Sequence, residues 1–315
     1  MRVLVAGATG VVGRQLVPML KTFGHDVIGL ARSRDRAAAV ERLGAEPVVA
    51  DALDRDAVSR AVRNLAPDAV VHMLTAIPAQ IDPRHLARDF ALTNRLRTEG
   101  TRNLLDAADR AGVRRVITQG LAYAYDPSDE GPANEDVPFW RNPPRQFAPV
   151  LDALCELERR TRESNGLVLR LGHLYGPKSI YAADGSFTRQ VRAGKVPLVA
   201  GGTATFSFTH AYDAATAVVA ALDKNTTGAL NIVDDEPARM SEWLPAMAAM
   251  LDAPAPKSAP AVLARLAVGG WGVAFMTRLR GADNARARLS LDWRPRYVSW
   301  QQGFAEELRH HTPAA

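Results

Sequence analysis

The sequence predicts an α/β fold, with a doubly wound parallel sheet and a smaller, mainly C-terminal substrate domain. Two observations predict the sheet: short apolar runs alternate with helical runs through the first half, and the first run, Val3 to Ala6, meets a glycine-rich turn. Such alternation is typical of a parallel sheet covered by helices on both faces. A third observation predicts the second domain, because after Leu171 the alternation fades while glycine and proline become frequent.

The predicted elements follow in chain order. Strands are expected at 3–6, 26–31, 46–50, 69–74 and 115–119, and helices at 14–21, 35–43, 55–64 and 89–111. Asp54 is the expected cap of the third helix, and Ser241 that of a later amphipathic helix over 241–251. We expect a dinucleotide-binding domain from 1–172 and 203–233, and a substrate-binding domain from 173–202 and 234–315.

The turn after the first strand carries three glycines. Gly7 permits a sharp turn, Gly10 lets a pyrophosphate approach the backbone, and Gly13 allows the next helix to pack closely. The free amides at that helix N-terminus favour an anionic ligand. Because glycine turns also occur without ligands, a plain structural turn is the alternative. The expected cofactor contacts in the turn are Gly7, Thr9, Gly10, Val11, Val12 and Gly13.

The end of the second strand predicts the type of dinucleotide. An acidic residue there usually binds a free ribose 2′-hydroxyl, but this chain has Arg32, Ser33 and Arg34. Two guanidinium groups and a hydroxyl suit a 2′-phosphate, so we predict NADP(H). Alternatively, the two arginines are surface charges at a helix start. Further contacts to the cofactor are expected from Asp51, which could instead cap a helix, and from Ala52, Met73, Leu74 and Thr75.

Composition excludes several classes of protein. The chain has 315 residues, a formal net charge of +5 and 47% hydrophobic residues, as in an ordinary soluble globular protein. Its arginines are scattered, so nucleic-acid binding is not expected. The single cysteine, Cys155, is expected in the core and allows neither an intrachain disulfide nor a multi-cysteine metal site. With no visible signal peptide, and with Arg265 and glycines interrupting the apolar stretch 259–276, we expect a cytoplasmic protein without membrane insertion.

Nine segments resemble one known family. They are GATGVVG at 7–13, ADALD at 50–54, DAVVHML at 68–74, TNRLRTEGTRNLLDAADRAGVRRVIT at 93–118, NEDVP at 134–138, RLGHLYGP at 170–177, FSFTHAYDAA at 206–215, ALNIVDDEP at 229–237 and LSLDWRPRY at 289–297. The chain resembles an extended short-chain dehydrogenase/reductase of the NAD-dependent epimerase/dehydratase family. The resemblance implies a Rossmann fold, a nicotinamide cofactor and a small-molecule substrate, and it is compatible with a homodimer.

The chain departs from that family at the residues that move protons. Family enzymes use a tyrosine and, four residues later, a lysine that lowers its pKa, helped by a serine or threonine. None of the six tyrosines here has a lysine four residues later. The family positions of the pair fall at about Ala148 and Asp152, and that of the serine near Gly120 or Leu121. The resemblance is therefore to an atypical member.

Other residues could take over the proton transfer. Tyr123 is our first choice, His173 on the loop after the sixth strand is the second, and Tyr125 occupies a family position that is often structural. Gln119 and Thr118 could hydrogen-bond a carboxamide or carbonyl, and Asn94 supports the site in the family. A hydrophobic pocket lining, or alternatively core, is expected from Trp140, Phe147, Trp271, Phe275 and Met276.

These observations predict an NADP(H)-dependent oxidoreductase or epimerase acting on a small hydrophobic carbonyl or hydroxy compound. The cofactor would carry the hydride and the protein would supply one proton donor. The missing pair leaves two alternatives open. One is a non-enzymatic NADP-sensing or partner-binding protein, and the other is an isomerase, cyclase or lyase without net redox chemistry.

Overall fold

A computed structural model describes residues 1–309 of the chain. The final segment of the predicted substrate-binding domain, residues 310–315, lies outside the described residues. The division into two domains stays a prediction.

The central sheet has seven parallel strands. They are β1 (Arg2–Ala6), β2 (Asp26–Ala31), β3 (Glu46–Val49), β4 (Ala69–His72), β5 (Arg115–Leu121), β6 (Leu167–Leu171) and β11 (Gly228–Ile232). Their order across the sheet is β11-β6-β5-β4-β1-β2-β3. The chain runs outward from β1 to β3, returns to β4 on the other side of β1, and continues outward to β6, so the sheet is doubly wound as predicted.

Six short strands lie outside this sheet. They are β7 (His173–Tyr175), β8 (Leu198–Val199), β9 (Thr205–Phe206), β10 (Phe208–His210), β12 (Ala238–Arg239) and β13 (Ser258–Ala259). They form three two-stranded pairs, β7 with β10, β8 with β13, and β9 with β12. The β7–β10 pair follows directly from the end of β6. It therefore places His173 beside the carboxyl edge of the main sheet.

The helices cover both faces of the sheet. Their bounds are α1 (Gly13–Thr22), α2 (Arg34–Glu41), α3 (Arg55–Leu65), α4 (Leu86–Asp89), α5 (Ala91–Arg95), α6 (Thr101–Arg110), α7 (Ala148–Glu163), α8 (Ser186–Arg192), α9 (Ala211–Leu222), α10 (Met240–Met250), α11 (Ala261–Thr277), α12 (Ala285–Leu291) and α13 (Trp300–Arg309). Side chains alternate along a strand. Val3 and Val5 of β1 accordingly pack with α1 and α9, whereas Leu4 packs with α3 and α6.

A third apolar cluster lies among the later elements. Phe208 of β10, Trp243 of α10 and Phe304 of α13 are fully buried at its centre. The apolar stretch 259–276 forms most of α11, which is interrupted at Gly269 with φ 72°. No helix among residues 1–309 is long and apolar enough to cross a membrane.

Two local predictions were wrong, about Cys155 and Ser241. The helical segment expected over 89–111 is present over 91–110, where α5, a π-helix at Leu96–Gly100 and α6 follow one another without a break. Cys155 is exposed, because it lies on the outer face of α7, whose inner face is apolar. Helix α10 starts before Ser241: Arg239 precedes it, and its amide donates to Glu242 Oε2 at 3.1 Å. Asp54 caps α3 as predicted, by accepting the amides of Asp56 and Ala57.

Candidate functional site

The glycine turn between β1 and α1 leaves no room for side chains. A Cβ on Gly13 would lie 2.2 Å from the carbonyl oxygen of Gly7, and one on Gly7 would lie 2.7 Å from that of Met73. Gly7 also has a φ of 102°, which L side chains rarely adopt. Val12, at the start of α1, makes no side-chain cap, so no side chain covers the amides of the helix N-terminus. The amides of Arg14 and Gln15 donate to the carbonyl oxygens of Gly10 and Val12. The turn therefore fits the pyrophosphate of a dinucleotide. Thr9 and Val11 are half-buried in it, and Gly10 is exposed.

The ends of β2 and β3 present the residues expected at the adenosine end of the cofactor. Arg32 and Arg34 are exposed, and Ser33 precedes α2 without capping it, so its hydroxyl is not used by the helix. Asp51 is exposed, and its carboxylate accepts the amide of Leu53 at 2.9 Å. Ala52 is buried beside it. These polar groups lie along one edge, where a phosphorylated ribose could reach them.

The end of β4 borders the glycine turn. Met73 is buried, Leu74 half-buried and Thr75 exposed. His72 is buried; its Nε2 lies 3.0 Å from Thr101 Oγ1, and its Nδ1 accepts the amide of Leu74 at 3.3 Å. Burial lowers the pKa of His72 to about 4. This histidine is a neutral packing residue.

Tyr123 and His173 lie face to face beyond β5 and β6. Their ring centroids are 4.4 Å apart, with 13° between the planes, and Phe206 covers the opposite face of His173 at 4.2 Å. We call Tyr123, His173 and Phe206 the aromatic stack. His173 is 5% exposed, its Nε2 has no hydrogen-bond partner among residues 1–309, and burial lowers its pKa to about 3. Burial also raises the pKa of Tyr123. Both side chains are therefore neutral near pH 7.

Tyr125 belongs to a different environment, which we call the Arg170 network. Its hydroxyl donates to Asn231 Oδ1 at 2.5 Å and accepts from Arg170 Nη1 at 2.8 Å. Arg170 in turn forms a bidentate ion pair with Glu158, at 2.8 and 2.6 Å. Burial raises the pKa of Tyr125 to about 12. A cofactor or substrate would have to compete with these partners for its hydroxyl.

The same network occupies the space of the family's missing serine. A Cβ on Gly120 would lie 3.1 Å from Glu158 Oε1 and 2.8 Å from Val168 Cγ1. The absence of a side chain there makes room for the ion pair between Glu158 and Arg170. At the start of α7, where the resemblance puts the tyrosine and lysine, Ala148 and Asp152 carry neither a phenol nor an amine.

The remaining residues predicted to contact a ligand differ in whether their polar atoms already have hydrogen-bond partners. The Thr118 hydroxyl is buried and lies 3.0 Å from Thr161 Oγ1 of α7. Gln119 is half-buried. The Oδ1 of Asn94 is buried without a hydrogen-bond partner among residues 1–309. Asn94 and Gln119 therefore remain candidates for binding a ligand, whereas the Thr118 hydroxyl already has a partner.

The sequence predictions missed Arg97, which faces the site from the π-helix. Only 2% of its surface is exposed, and its Nη1 has no hydrogen-bond partner among the described residues. Arg97 lies in the chain between Thr93, whose Oγ1 accepts the amide of Ala76 at 2.9 Å, and Thr101, whose Oγ1 lies 3.0 Å from His72 Nε2. The helical segment that carries Arg97 therefore packs against the end of β4 and the residues that follow it, at the carboxyl edge of the sheet.

Aromatic side chains extend from the stack towards α11. Phe147 and Trp271 stack with centroids 4.0 Å apart, and Phe275 meets His173 edge-on at 5.4 Å. Trp140, Phe147 and Trp271 are buried, whereas Phe275 and Met276 are half-buried. The half-buried pair is thus the part of the expected lining that is open to a ligand.

A cavity lies apart from this site, and no metal-binding cluster occurs among residues 1–309. A cavity of about 170 Å³ is lined by Gln80 and by residues on and after α8, among them Arg189 and Lys195, but by none of the residues described above. No cluster of three or more His, Cys, Asp or Glu side chains within residues 1–309 is arranged to hold a metal ion.

The glycine turn, the sheet order and the site at its carboxyl edge define an extended short-chain dehydrogenase/reductase. Residues 3–233 match the NAD dependent epimerase/dehydratase family, and the chain belongs to this family. Its relatives include a reductase and an epimerase. The 3-diazoavenalumate denitrifying reductase of Streptomyces sp is 46% identical over 310 residues, which cover 98% of this chain and 100% of the relative. The UDP-glucose 4-epimerase of Mycolicibacterium smegmatis is 27% identical over 324 residues, covering 98% and 97%.

Solved structures share the fold. UDP-glucose 4-epimerase from Thermotoga maritima, solved with UDP-glucose, superposes with a TM-score of 0.78 at 20% identity and covers 98% of both chains. The UDP-glucose 4-epimerase of Thermus thermophilus, solved with NAD, gives 0.72 at 24% identity and covers 100% of both. Family membership and the glycine turn together support a nicotinamide cofactor.

Proposed function

We propose that the protein is an NADP(H)-dependent reductase that removes the diazo group from an aromatic compound as N2. The observation that carries this proposal is the similarity to the 3-diazoavenalumate denitrifying reductase, which extends along the whole chain. The sequence by itself predicts a carbonyl or hydroxy compound as the substrate. A diazo substrate fits the chemistry of this site better.

The proposed reaction explains why the tyrosine and lysine can be absent. Reduction of a carbonyl creates an alkoxide that needs a proton, which is the task of a general acid. In the proposed reaction the reduced nicotinamide supplies a hydride, so that an aryl diazonium ion and a hydride give the arene and N2. No alkoxide forms, and the leaving group is a neutral gas. A site without a proton donor is sufficient.

The chain's own residues would hold and orient the reactants. The glycine turn would bind the pyrophosphate, and Arg32, Ser33 and Arg34 would bind the 2′-phosphate. Tyr123 would offer an aromatic ring the face that is turned away from His173, since stacked or edge-on ring pairs are favourable. His173, which lies between Tyr123 and Phe206, would hold the Tyr123 ring in place. Phe275 would exclude water from one side. In this proposal Tyr123 positions the substrate ring, His173 supports Tyr123, and neither transfers a proton.

The direct test follows the hydrogen and the nitrogen. Purified protein is mixed with a hydroxyaryl diazonium salt and NADPH deuterated on the transferred position, and mass spectrometry measures deuterium in the arene and N2 in the gas phase. We expect one deuterium and one N2 for each NADPH oxidised, well above the enzyme-free rate. Reduction of ketones without reduction of the diazonium salt would overturn the proposal.

The cofactor preference needs its own experiment. Fluorescence titration should show tighter binding of NADPH than of NADH. Replacing both Arg32 and Arg34 with alanine should weaken NADPH binding by about tenfold or more, because each can donate charged hydrogen bonds to a phosphate, and should leave NADH binding unchanged. Arg36→Ala is the matched control, since Arg36 is exposed on α2. Equal affinities for both cofactors in the unmodified protein would exclude the NADP(H) preference.

The role of Tyr123 is tested by Tyr123→Phe, which keeps the ring and removes the hydroxyl. A general acid contributes about a hundredfold or more to the rate. We expect the variant to lose much less than that in kcat for the diazonium salt. A loss of about a hundredfold would instead identify Tyr123 as the proton donor that the sequence analysis predicted.

A further inference from the structure

Arg97 is a buried cation without a counter-ion among the described residues. Burial lowers the pKa of its guanidinium to about 10, and the titratable group that acts in the opposite direction is Tyr123. At neutral pH the guanidinium is therefore charged, whereas the Tyr123 phenol is not. Its Nη1 makes no hydrogen bond to any described residue. No carboxylate within residues 1–309 compensates this charge.

An unpaired buried charge is costly to a folded protein, and a hydrophobic residue of similar volume would avoid that cost. A binding site gives such a residue a use, because a ligand can supply the missing anion. The position of Arg97 agrees with this, because Thr93 and Thr101, four residues before and after it, contact Ala76 and His72 at the carboxyl edge of the sheet. The aromatic stack lies beside the same edge. The π-helix at Leu96–Gly100 carries Arg97, and π-insertions are frequent at functional sites.

We propose that Arg97 binds an oxyanion of the aromatic substrate and thereby fixes the ring against the stack. The oxyanion is either a carboxylate or an oxygen on the ring. A carboxylate presents a planar pair of acceptor oxygens and a ring oxyanion presents one charged acceptor, and a guanidinium binds both. The aromatic diazo nature of the substrate rests on the proposed function. The anion site itself rests on Arg97 alone.

A ring oxyanion would also be activated by this contact. In a hydroxyaryl diazo compound the negative charge of the oxygen delocalises onto the diazo group and reduces its electrophilicity. An ion pair with Arg97 would hold that charge on the oxygen and leave the diazo group electron-poor. The oxygen keeps its charge throughout, so no proton enters or leaves at this step.

The test uses anions that bind without reacting. With NADP+ at saturation, calorimetry measures the Kd of 4-nitrophenol at a pH at which it is ionised, and of cinnamate. The neutral counterparts are 4-nitroanisole and cinnamyl alcohol. For Arg97→Met we expect about tenfold to a hundredfold weaker binding of the anion that uses the site, with no change for its neutral counterpart. The probe that responds identifies the ring oxygen or the carboxylate as the ligand.

The controls separate binding from folding. Arg102→Met removes an exposed arginine from α6 and should change no Kd. Arg97→Met should keep or raise the melting temperature, because it removes an uncompensated buried charge. If Arg97→Met does not fold, Arg97→Lys is used instead. The yellow absorption of bound 4-nitrophenolate is then measured, and it should be weaker with Arg97→Lys than with the unmodified protein.

Two results would overturn the inference. One is that replacing Arg97 leaves the Kd of both anions unchanged. The other is that the replacement weakens the binding of NADP+ but not that of the anions, which would mean that Arg97 binds the cofactor. Neither depends on turnover. The diazonium assay could therefore fail while the binding of an anion still depends on Arg97. That pair of results would reject the proposed function and retain the anion site.

Discussion

Arg97 and Arg170 are both buried arginines near the carboxyl edge of the sheet, but their surroundings are opposite. Arg170 is 6% exposed and has a bidentate ion pair with Glu158, a hydrogen bond to Tyr125 and the ring of Phe139 at 4.6 Å. Although burial opposes its charge, the contacts with Glu158 raise the pKa of Arg170. Arg97 is 2% exposed and has none of these partners.

The difference shows how one edge of a sheet can serve both structure and function. The Arg170 network satisfies its own charges and hydrogen bonds, so its contribution is to hold β5, β6, β11 and α7 together. The region around Arg97 and the aromatic stack leaves a guanidinium and the His173 Nε2 unsatisfied by residues 1–309. Stability should therefore depend on the first region and binding on the second.

The largest expected effect comes from breaking the Arg170 ion pair. Glu158→Gln keeps the shape of the side chain but leaves Arg170 without its counter-charge, and we expect a loss of about 3–5 kcal/mol in the free energy of unfolding. Urea denaturation measures this. Arg97→Met, measured in the same way, should lose nothing, because the described residues offer no pair to break.

A double variant sharpens this comparison. Glu158→Leu combined with Arg170→Met replaces both charges with apolar groups, and it should recover most of the stability that Glu158→Gln loses. An equal loss in Arg97→Met and Glu158→Gln would contradict the distinction between the two arginines.

The next effect is a dependence of stability on pH that arises from the buried histidines. The pKa of His173 is lowered to about 3 and that of His72 to about 4, from an ordinary value of 6.5. Below pH 6.5 the unfolded chain binds protons at these imidazoles that the folded chain does not. The free energy of unfolding should therefore fall as the pH decreases from about 6.5 towards 4, by up to about 1.4 kcal/mol per pH unit for each histidine.

His173→Phe isolates the contribution of the stack. Phenylalanine keeps an aromatic ring between Tyr123 and Phe206 and does not titrate, so the slope of stability against pH below 6.5 should be smaller than in the unmodified protein. Urea denaturation at pH 7, 6 and 5 gives both slopes, and the contributions of the carboxylates cancel in their difference. Identical slopes would mean that His173 is protonated in the folded protein.

The sequence predicted the fold well because its signals are local. The alternation of strands and helices, the glycines at 7–13 and the cap at Asp54 each depend on neighbouring residues. The structure confirms the doubly wound parallel sheet and the cap. The absence of a tyrosine and lysine pair is equally visible in the sequence. From this absence the sequence predicts Tyr123 or His173 as the proton donor, and the rings of these two residues are in contact in the structure.

The two arginine environments could not be predicted, for different reasons. The Arg170 network joins residues far apart in the chain, and the bond between Tyr125 and Asn231 alone spans 106 positions. Arg97 lies in the π-helix at Leu96–Gly100, whose wider turn is not predicted by the ordinary helical period of the sequence. The neighbouring Arg95 forms an ordinary surface pair with Glu99, and nothing in the pattern distinguishes the two arginines.

The smallest expected effect compares the two tyrosines, which are only two residues apart. Tyr125→Phe removes a hydroxyl that links Arg170 to Asn231 and leaves buried polar atoms without partners, so we expect a loss of about 1–3 kcal/mol. Tyr123→Phe removes a hydroxyl from the stack and should change stability by less than about 0.5 kcal/mol. Chemical denaturation of both variants measures the difference. If Tyr123→Phe is the more destabilising, the stack is held together by its polar contacts, and its role as an open surface for an aromatic ring must be abandoned.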